Sequence, residues 1–224
     1  MSEHEPPQPH EPPEPSQPAA EVPAVEAAPA ADALPALTPP PSHPIQLVVT
    51  DDLRRSRLTV LLRALLAIPH LIWLSLWGIL VGFAILIAWL VALVMGQVPA
   101  GIHNFIARYE RYRTQVTAYL FIAANPFPGF GGNTPYPVDL EVAPSARQNR
   151  LSVFFRVLLA IPALILAYLL VLALELMAFV AWLVALVLGR LPAGLENIMI
   201  LLLTFTTRLN CYLVLLTSKY PSFD

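Results

Sequence analysis

The sequence predicts an all-α membrane protein made of two tandem helical-hairpin repeats, with about four membrane helices and a disordered N-terminal tail. Three observations support this prediction: an apolar composition, one repeat register along most of the chain, and apolar runs of bilayer length. Of the 224 residues, 57% are hydrophobic and only 12% are charged. In soluble proteins, roughly a quarter of the residues are charged. The low charged fraction of this chain is typical of a protein that lies largely in a membrane.

The repeats share one register without a gap. The stretch AWLVALVMGQVPAG at residues 88–101 returns 93 positions later as AWLVALVLGRLPAG, at residues 181–194. The same offset relates Pro44 to Pro137, Arg57 to Arg150, Arg63 to Arg156, Pro69 to Pro162, Trp89 to Trp182 and Tyr119 to Tyr212. Self-similarity at a fixed period indicates a duplicated structural unit. The predicted domains are a tail at 1–43, membrane repeat one at 44–130 and membrane repeat two at 131–224.

The tail is rich in Pro, Glu and Ala and contains no aromatic residue. Such a segment cannot bury enough apolar surface to offset its ordering entropy, so we expect disorder with polyproline II character. The first residues lack the basic and apolar regions of a secretory signal, which favours a cytoplasmic tail. A cytoplasmic partner that binds the Pro-rich tail is one alternative, and a solvated acidic spacer is the other.

Each repeat begins with an extended lead, PIQLVV at 44–49 or PVDLEV at 137–142, and continues into a long apolar run. Because a proline inside a helix removes a hydrogen bond and kinks the chain, we expect an interfacial start at 52–68 and a spanning helix at 70–95. The matching division in repeat two predicts a span at 163–188.

The second helices of the two repeats differ in character. Residues 195–217 are apolar enough to span, whereas 102–122 is amphipathic and either crosses the bilayer or lies at its interface. Two crossings in each repeat would place both Gly-Pro turns on one side, opposite the tail, the linker and the C-terminus. The excess of Lys and Arg on the latter side makes it cytoplasmic, so we expect a multi-pass protein with cytoplasmic N- and C-termini.

Glu175 is the first candidate site residue, because it lies near the centre of the third apolar helix. An unpaired carboxylate there costs a few kcal/mol. Glu175 lies 14 residues before Gly189, and Arg208 lies 14 residues after Gly194, so both are about 21 Å from the turn at a rise of 1.5 Å per residue. We therefore predict an intramembrane ion pair between Glu175 and Arg208, with a protonated, unpaired Glu175 as the alternative.

The second candidate site is the group Arg108, Arg111 and Arg113, which is interleaved with two tyrosines. Such a cluster on a membrane-associated helix suits anionic lipid headgroups or a polar contact between helices. Nucleic acid is not expected, because this helix is embedded or interfacial. No His, Cys or carboxylate spacing is typical of a metal site, and no nucleophile has an adjacent base. We therefore expect no catalytic, cofactor-binding or metal-binding residues.

The stretches RLTVLLRALLAIPHLI, AWLVALVMGQVPAGIHNF and YLVLLTSKYPSF resemble the bacterial membrane family known as domain of unknown function 4389. Both halves carry the pattern, from about residue 44 to 223, although Ala163 stands where the first copy has His70. The resemblance implies an integral membrane protein of a bacterial inner membrane and no particular activity.

Two classes of function follow from these observations. The first is a non-enzymatic accessory or scaffold module that binds membrane lipids or membrane protein partners. The alternative is a component of a transporter or channel that uses the intramembrane Glu-Arg pair. The sequence leaves open whether the partner is a second copy of the chain or another membrane protein.

Overall fold

The computed structural model describes residues 43–50 and 52–223, so almost all of the predicted tail lies outside the described residues. The elements in chain order are β1 (Ile45–Val49), α1 (Arg57–Met95), α2 (Ala100–Leu120), β2 (Val138–Val142), α3 (Arg150–Phe154), α4 (Arg156–Leu188) and α5 (Ala193–Leu213). The fold is mostly helical, as predicted. The two extended leads of the repeats form the strands.

The two strands pair with each other in an antiparallel ladder, with Ile45 opposite Val142 and Leu47 opposite Leu140. Leu47 and Leu140 are equivalent residues of the two repeats, since they are 93 positions apart. When equivalent residues face each other, an approximate two-fold axis passes between them. The repeats therefore meet at their strands through a self-complementary contact.

The long helices continue through their prolines, which differs from the predicted division. α1 is one helix of 39 residues with Pro69 inside it, and α4 begins at Arg156, six positions before Pro162. Leu and Ala dominate on both sides of each proline and have high helix propensity. Their helix formation outweighs the roughly 3 kcal/mol that an internal proline costs.

α1 and α4 run antiparallel. The indole of Trp89, near the end of α1, donates to the carbonyl of Val153 just before α4 (3.2 Å). The equivalent indole of Trp182, near the end of α4, donates to the carbonyl of Val60 at the start of α1 (3.2 Å). Each long helix thus ends beside the start of the other.

The two Gly-Pro turns also make equivalent contacts, each with the other repeat. Arg55 N donates to Gly189 O (3.0 Å), and its counterpart Gln148 N donates to Gly96 O (2.8 Å). Both glycines are in the left-handed conformation, which costs glycine little. The two turns therefore lie at opposite ends of the α1–α4 pair, each against the basic lead of the other repeat. The prediction had placed both turns together and both leads opposite them.

Each long helix buries only a narrow stripe. The buried positions recur at spacings of three, four or seven: Val60, Arg63, Ala67, His70, Leu74, Val81, Ala88 and Ala92 in α1, and Arg156, Ala160, Ala163, Ala167, Leu174, Ala181 and Ala185 in α4. Many are alanines, which let helices approach closely. Only 17% of the most apolar stretch of α1 and 22% of that of α4 is buried. The remaining apolar surface faces outward.

By length and composition, α1 and α4 are the two helices of the described ranges that could cross a membrane. α5 does not qualify, although the sequence predicts a span there. Its apolar run is interrupted by polar residues, and it buries Glu196, Thr207 and Arg208 against the rest of the protein. α2 is more polar still and buries Glu110 and Gln115. The molecule therefore has an apolar layer of α1 and α4 and a more polar layer of α2, α5 and the strands.

Candidate functional site: polar groups between the repeats

The structure does not bring Glu175 and Arg208 together. Glu175 lies exposed on α4, directly after the buried Leu174, and no ion pair within the described ranges includes it. Arg208 is buried and faces the other way, because its Nε donates to Ile45 O (3.2 Å) and its Nη1 to Ser222 O (2.7 Å). A transport pathway lined by this pair therefore lacks its geometric basis.

The predicted arginine cluster divides into two kinds of residue. Arg111 forms a two-pronged ion pair with Asp139 of β2, with 2.7 Å between Nε and Oδ1. Arg113 pairs with Glu110 one turn earlier (3.1 Å). Arg108 is exposed, and its guanidinium has no hydrogen bond or ion pair to the part of the chain that the structure describes. Of the three, Arg108 is the one available to an external ligand.

The Asp139 carboxyl helps to fix β2 on α2. Burial alone would raise the pKa of Asp139, but hydrogen bonds from Arg111, Leu140 N and Gln115 outweigh that effect and hold this pKa below its ordinary value. A carboxyl whose pKa is lower in the folded state stabilises the fold at pH values above its unfolded pKa, which is near 4. This contribution is lost as the pH falls through the pKa of the folded state. This ion pair therefore joins the repeats most strongly at neutral pH.

A polar cavity of about 190 Å³ lies between α2, α4 and α5. Its polar lining is Glu110, Arg113, Thr114 and Thr117 from α2 and Thr206, Thr207 and Asn210 from α5. Three of the α2 positions are equivalent to the three α5 positions in the repeat register. The cavity is thus bordered by the same face of the second helix of each repeat. These groups can exchange hydrogen bonds with water or a small polar molecule.

Glu110 is the buried carboxyl of the cavity. It is 2% exposed, and burial raises the pKa of its carboxyl, while the charge of Arg113 partly opposes the rise. Its counterpart in repeat two is Leu203, so the charge belongs to one repeat only. Glu110 also raises the pKa of the fully buried Cys211 thiol, after the larger effect of burial.

We predict that Glu110 makes the protein less stable as pH rises. Because the pKa of Glu110 is raised in the folded state, protonated Glu110 stabilises the fold, and this stabilisation is complete below the unfolded pKa. It is lost as the pH rises through the pKa of the folded state. Glu110→Gln cannot ionise, so its stability advantage over the wild type should grow from pH 4 to pH 8. Thermal unfolding in detergent, followed by tryptophan fluorescence, measures this difference. The exposed Glu141→Gln is the matched control, and a constant difference across the pH range would contradict the prediction.

Two buried arginines hold the ends of α2 and α5. Arg63 Nη1 donates to the carbonyls of Tyr119 (2.6 Å) and Ala124 (2.9 Å), and the guanidinium lies 4.5 Å from the Tyr119 ring centroid. The last carbonyls of a helix lack partners within the helix and carry a partial negative charge. A cation at this position satisfies both requirements.

Arg156 repeats these contacts in the second repeat. Its Nη1 donates to the carbonyls of Tyr212 and Thr217, the latter at 3.0 Å, and its guanidinium lies 4.5 Å from the Tyr212 ring centroid. Its Nη2 donates to Gln148. These two carbonyl contacts and the ring contact of Arg63 thus recur 93 positions later. We call Arg63 and Arg156 the clamp arginines.

Three described histidines are buried and bonded internally. His70 contacts the Tyr112 hydroxyl (2.5 Å), His103 lies 3.3 Å from the carbonyl of Leu216, and His43 contacts the backbone of Ile45. No group of three or more His, Cys, Asp or Glu residues that could hold a metal ion is found in the described ranges. His70 and His103 belong to contacts of the helices, whereas His43 bonds to the start of β1.

The polar cavity was missed by the sequence analysis, although a signal for it exists. Glu110, Arg113, Thr114 and Thr117 follow the spacing of one helix face, and a polar pattern returns at the last three of these positions in repeat two. The polar side of 102–122 was predicted to suit lipid headgroups or a polar contact between helices, but an interface shared with the second helix of repeat two was not predicted. Comparing both second helices in the repeat register would have indicated a shared polar interface.

The fold and these contacts define a duplicated helical protein with two exposed apolar helices and a polar layer shared by both copies. Its sequence matches the family described as Domain of unknown function (DUF4389) twice, at residues 57–130 and 150–223. The two matches cover more than half of the chain, so the protein belongs to this family, as the resemblance indicated. Comparison with curated proteins and with solved structures finds no match.

Proposed function

We propose that this protein is a non-enzymatic accessory or scaffold module that lies in one leaflet of the bacterial inner membrane. Its apolar layer, α1 and α4, is embedded among acyl chains. Its polar layer of α2, α5 and the strands faces the headgroups and the cytoplasm. There it binds lipids and membrane or cytoplasmic partners.

The position of the strand pair supports this orientation. The two-fold axis passes between Leu47 and Leu140, so the strand pair lies midway between the two ends of the α1–α4 pair. Glu141, next to Leu140, is exposed there, and Arg108 is exposed near the middle of α2. If the long helices crossed the bilayer, these charges would lie near its centre, at a cost of about 2.5–3.5 kcal/mol for an arginine on insertion scales.

The dimensions also suit one leaflet. A helix with its side chains is about 10–12 Å across, and half of a hydrocarbon core is roughly 15 Å thick. One helical layer therefore fills a leaflet. α1 is about 58 Å long at 1.5 Å per residue, which is nearly twice the thickness of the core. The length is accommodated without mismatch if the helix lies along the membrane plane.

The charges at the two ends agree with this placement. Arg54, Arg57 and Arg190 lie at one end of the α1–α4 pair, and Arg147 and Arg150 lie at the other end, in accordance with the two-fold relation. In a spanning orientation, both membrane surfaces would carry similar positive charge. In one leaflet, all five residues lie at the same cytoplasmic surface, as positive-inside counting favours.

Accessibility of introduced cysteines tests the orientation. Single cysteines are placed at Gln97, Glu141 and Arg190 in a Cys211→Ala background, and a membrane-impermeant maleimide is added to right-side-out and inside-out vesicles. We expect all three positions to react only in inside-out vesicles. Gln97 and Arg190 lie at opposite ends, so reaction of these two from opposite sides would show a spanning protein. Release of the wild type by carbonate washing would contradict membrane embedding altogether.

A further inference from the structure

A groove in repeat one lies where the apolar layer meets α2. It is lined by Trp73, Leu76, Trp77 and Leu80 of α1, by Arg108 of α2 and by Gly131 of the following loop. Its volume is about 320 Å³, within the range of roughly 300–1,000 Å³ of small-molecule sites. One wall is apolar and continuous with the exposed surface of α1. The opposite rim bears the positive charge of Arg108.

Within the described ranges, no carboxylate neutralises the charge at the rim. Arg111 and Arg113 are bonded to Asp139 and Glu110, whereas Arg108 has no such carboxylate in the described ranges. A guanidinium binds phosphate through two parallel hydrogen bonds and remains charged at any physiological pH. The groove is therefore complementary to a negatively charged group attached to an apolar chain.

Two tryptophans line the groove. The indoles of Trp89 and Trp182 donate to backbone carbonyls elsewhere in the structure. Those of Trp73 and Trp77 donate to no described residue. The Trp77 ring packs edge-on against Tyr109, with 5.6 Å between centroids, and this contact fixes one wall. Tryptophan favours the level of the membrane where one end of its ring is apolar and the other meets polar groups.

We propose that this groove binds one anionic phospholipid. The phosphate lies on Arg108, and an acyl chain lies along Trp73, Leu76 and Leu80. This assignment rests on the proposed function, because the apolar wall of the groove belongs to the layer embedded in the leaflet. The proposed function includes lipid binding in general. The groove assignment specifies where one lipid binds and that its headgroup is negatively charged.

The second repeat provides an internal comparison. The position equivalent to Arg108 is Leu201, which is 47% exposed, and leucines stand at the equivalents of Trp73 and Trp77. Repeat two therefore lacks both the charge and the indoles of the groove. The two-fold relation does not extend to this site, and one lipid site per chain is expected.

Quenching of tryptophan fluorescence tests the site in the full-length protein. The purified chain in a non-ionic detergent is titrated with phosphatidylglycerol or phosphatidylcholine, each bearing brominated acyl chains. We expect saturable quenching by phosphatidylglycerol at lower concentration than by phosphatidylcholine. Arg108→Gln should weaken the phosphatidylglycerol response about fivefold, the factor that one arginine near an anionic surface supplies. Trp73→Phe should remove part of the quenching amplitude.

Two controls separate a site from general charge attraction. Arg147→Gln removes an exposed arginine outside the groove and should bind like the wild type. The double variant R108Q/L201R keeps the net charge but moves the arginine to the equivalent position in repeat two, so its phosphatidylglycerol response should stay as weak as that of R108Q. Equal loss in R108Q and R147Q, recovery in the double variant, or equal quenching by both lipids would overturn the proposal.

This assay also separates the site from the proposed function. Retention in the membrane after carbonate washing depends on the whole apolar layer, so R108Q should be retained as fully as the wild type. If the wild type is released, the membrane proposal fails, and the titration in detergent still reports on the groove. If it is retained but the titration shows no selectivity, only the groove assignment fails.

Discussion

Replacing either clamp arginine by methionine is expected to lower the free energy of unfolding by about 3 kcal/mol. Arg63 and Arg156 each donate to one carbonyl in the last turn of a helix and to one just beyond it, and a hydrogen bond from a charged group contributes about 1.5–3 kcal/mol. Methionine fills a similar volume but donates nothing, so both carbonyls remain buried without the guanidinium. In a chain of this size, the loss corresponds to a fall in Tm of about 6–12 °C.

Thermal unfolding in detergent measures this effect, and the repeat supplies the internal check. Because the two clamps make the same contacts, R63M and R156M should lower Tm by similar amounts. Arg147→Met, at an exposed position, should change Tm by less than about 2 °C. Tm values of R63M and R156M that match the value of R147M would show that the buried guanidinium groups contribute nothing to stability.

The sequence predicted the features that depend on local pattern. Apolar composition and run length indicated the membrane-compatible helices now seen as α1 and α4, and the extended leads became β1 and β2. The register of 93 residues identified equivalent positions, and two of them, Trp89 and Trp182, make equivalent indole bonds in the structure. The two long helices follow from residue type and spacing within one repeat. The strand pairing and the indole bonds, in contrast, join one repeat to the other.

The relation between the repeats was not predictable in this way. An internal duplication is compatible with parallel copies and with antiparallel copies, because both have the same sequence register. The deciding contacts, such as Arg55 N to Gly189 O, involve backbone groups that carry no sequence signal. Choosing parallel copies placed both turns together, and the observed two-fold relation separates them.

Glu175 and Arg208 illustrate a second limit of reasoning from sequence. Their equal distance from the turn implied an equal depth in a helical hairpin. An ion pair also requires that the two side chains point toward each other. Successive residues on a helix are rotated by about 100°. Leu174 takes the inward position of α4, so Glu175 points outward, and Arg208 turns toward β1. The sequence gives the position of each residue along its helix, whereas the direction of its side chain depends on how the helices pack.

The polar layer also depends on contacts that the sequence of one helix does not show. Arg108, Arg111 and Arg113 were predicted to form one cluster that suits lipid headgroups or a polar contact between helices, but the sequence did not indicate the partner of each residue. β2 supplies Asp139 from 28 positions further along the chain, and α5 closes the cavity from the second repeat. These partners became neighbours only through the contact between the repeats. Arg108 alone kept the exposed character that the sequence indicated.

Severing the chain between Asn133 and Thr134 should give two halves that fold only together. Both residues are exposed, and the cut separates β1–α1–α2 from β2–α3–α4–α5. Each half loses its strand partner, the donor to its turn carbonyl and one side of the polar cavity. We expect each half expressed alone to accumulate at several-fold lower levels than in co-expression. Affinity purification of a tag on one half should recover both at equal amounts.

Two substitutions on one strand make this test specific for the contact between repeats. Leu140 is 3% exposed and lies opposite Leu47 beside the two-fold axis, so Leu140→Asp in the second half introduces a buried charge there and should abolish co-purification. Its exposed neighbour provides the control, since Glu141→Gln should leave recovery unchanged. Because the contact is self-complementary, native mass spectrometry of the second half alone should check whether two copies of it replace the missing partner. A folded, monomeric half would contradict the dependence of each repeat on the other, because its strand and its turn would then be stable without their partners.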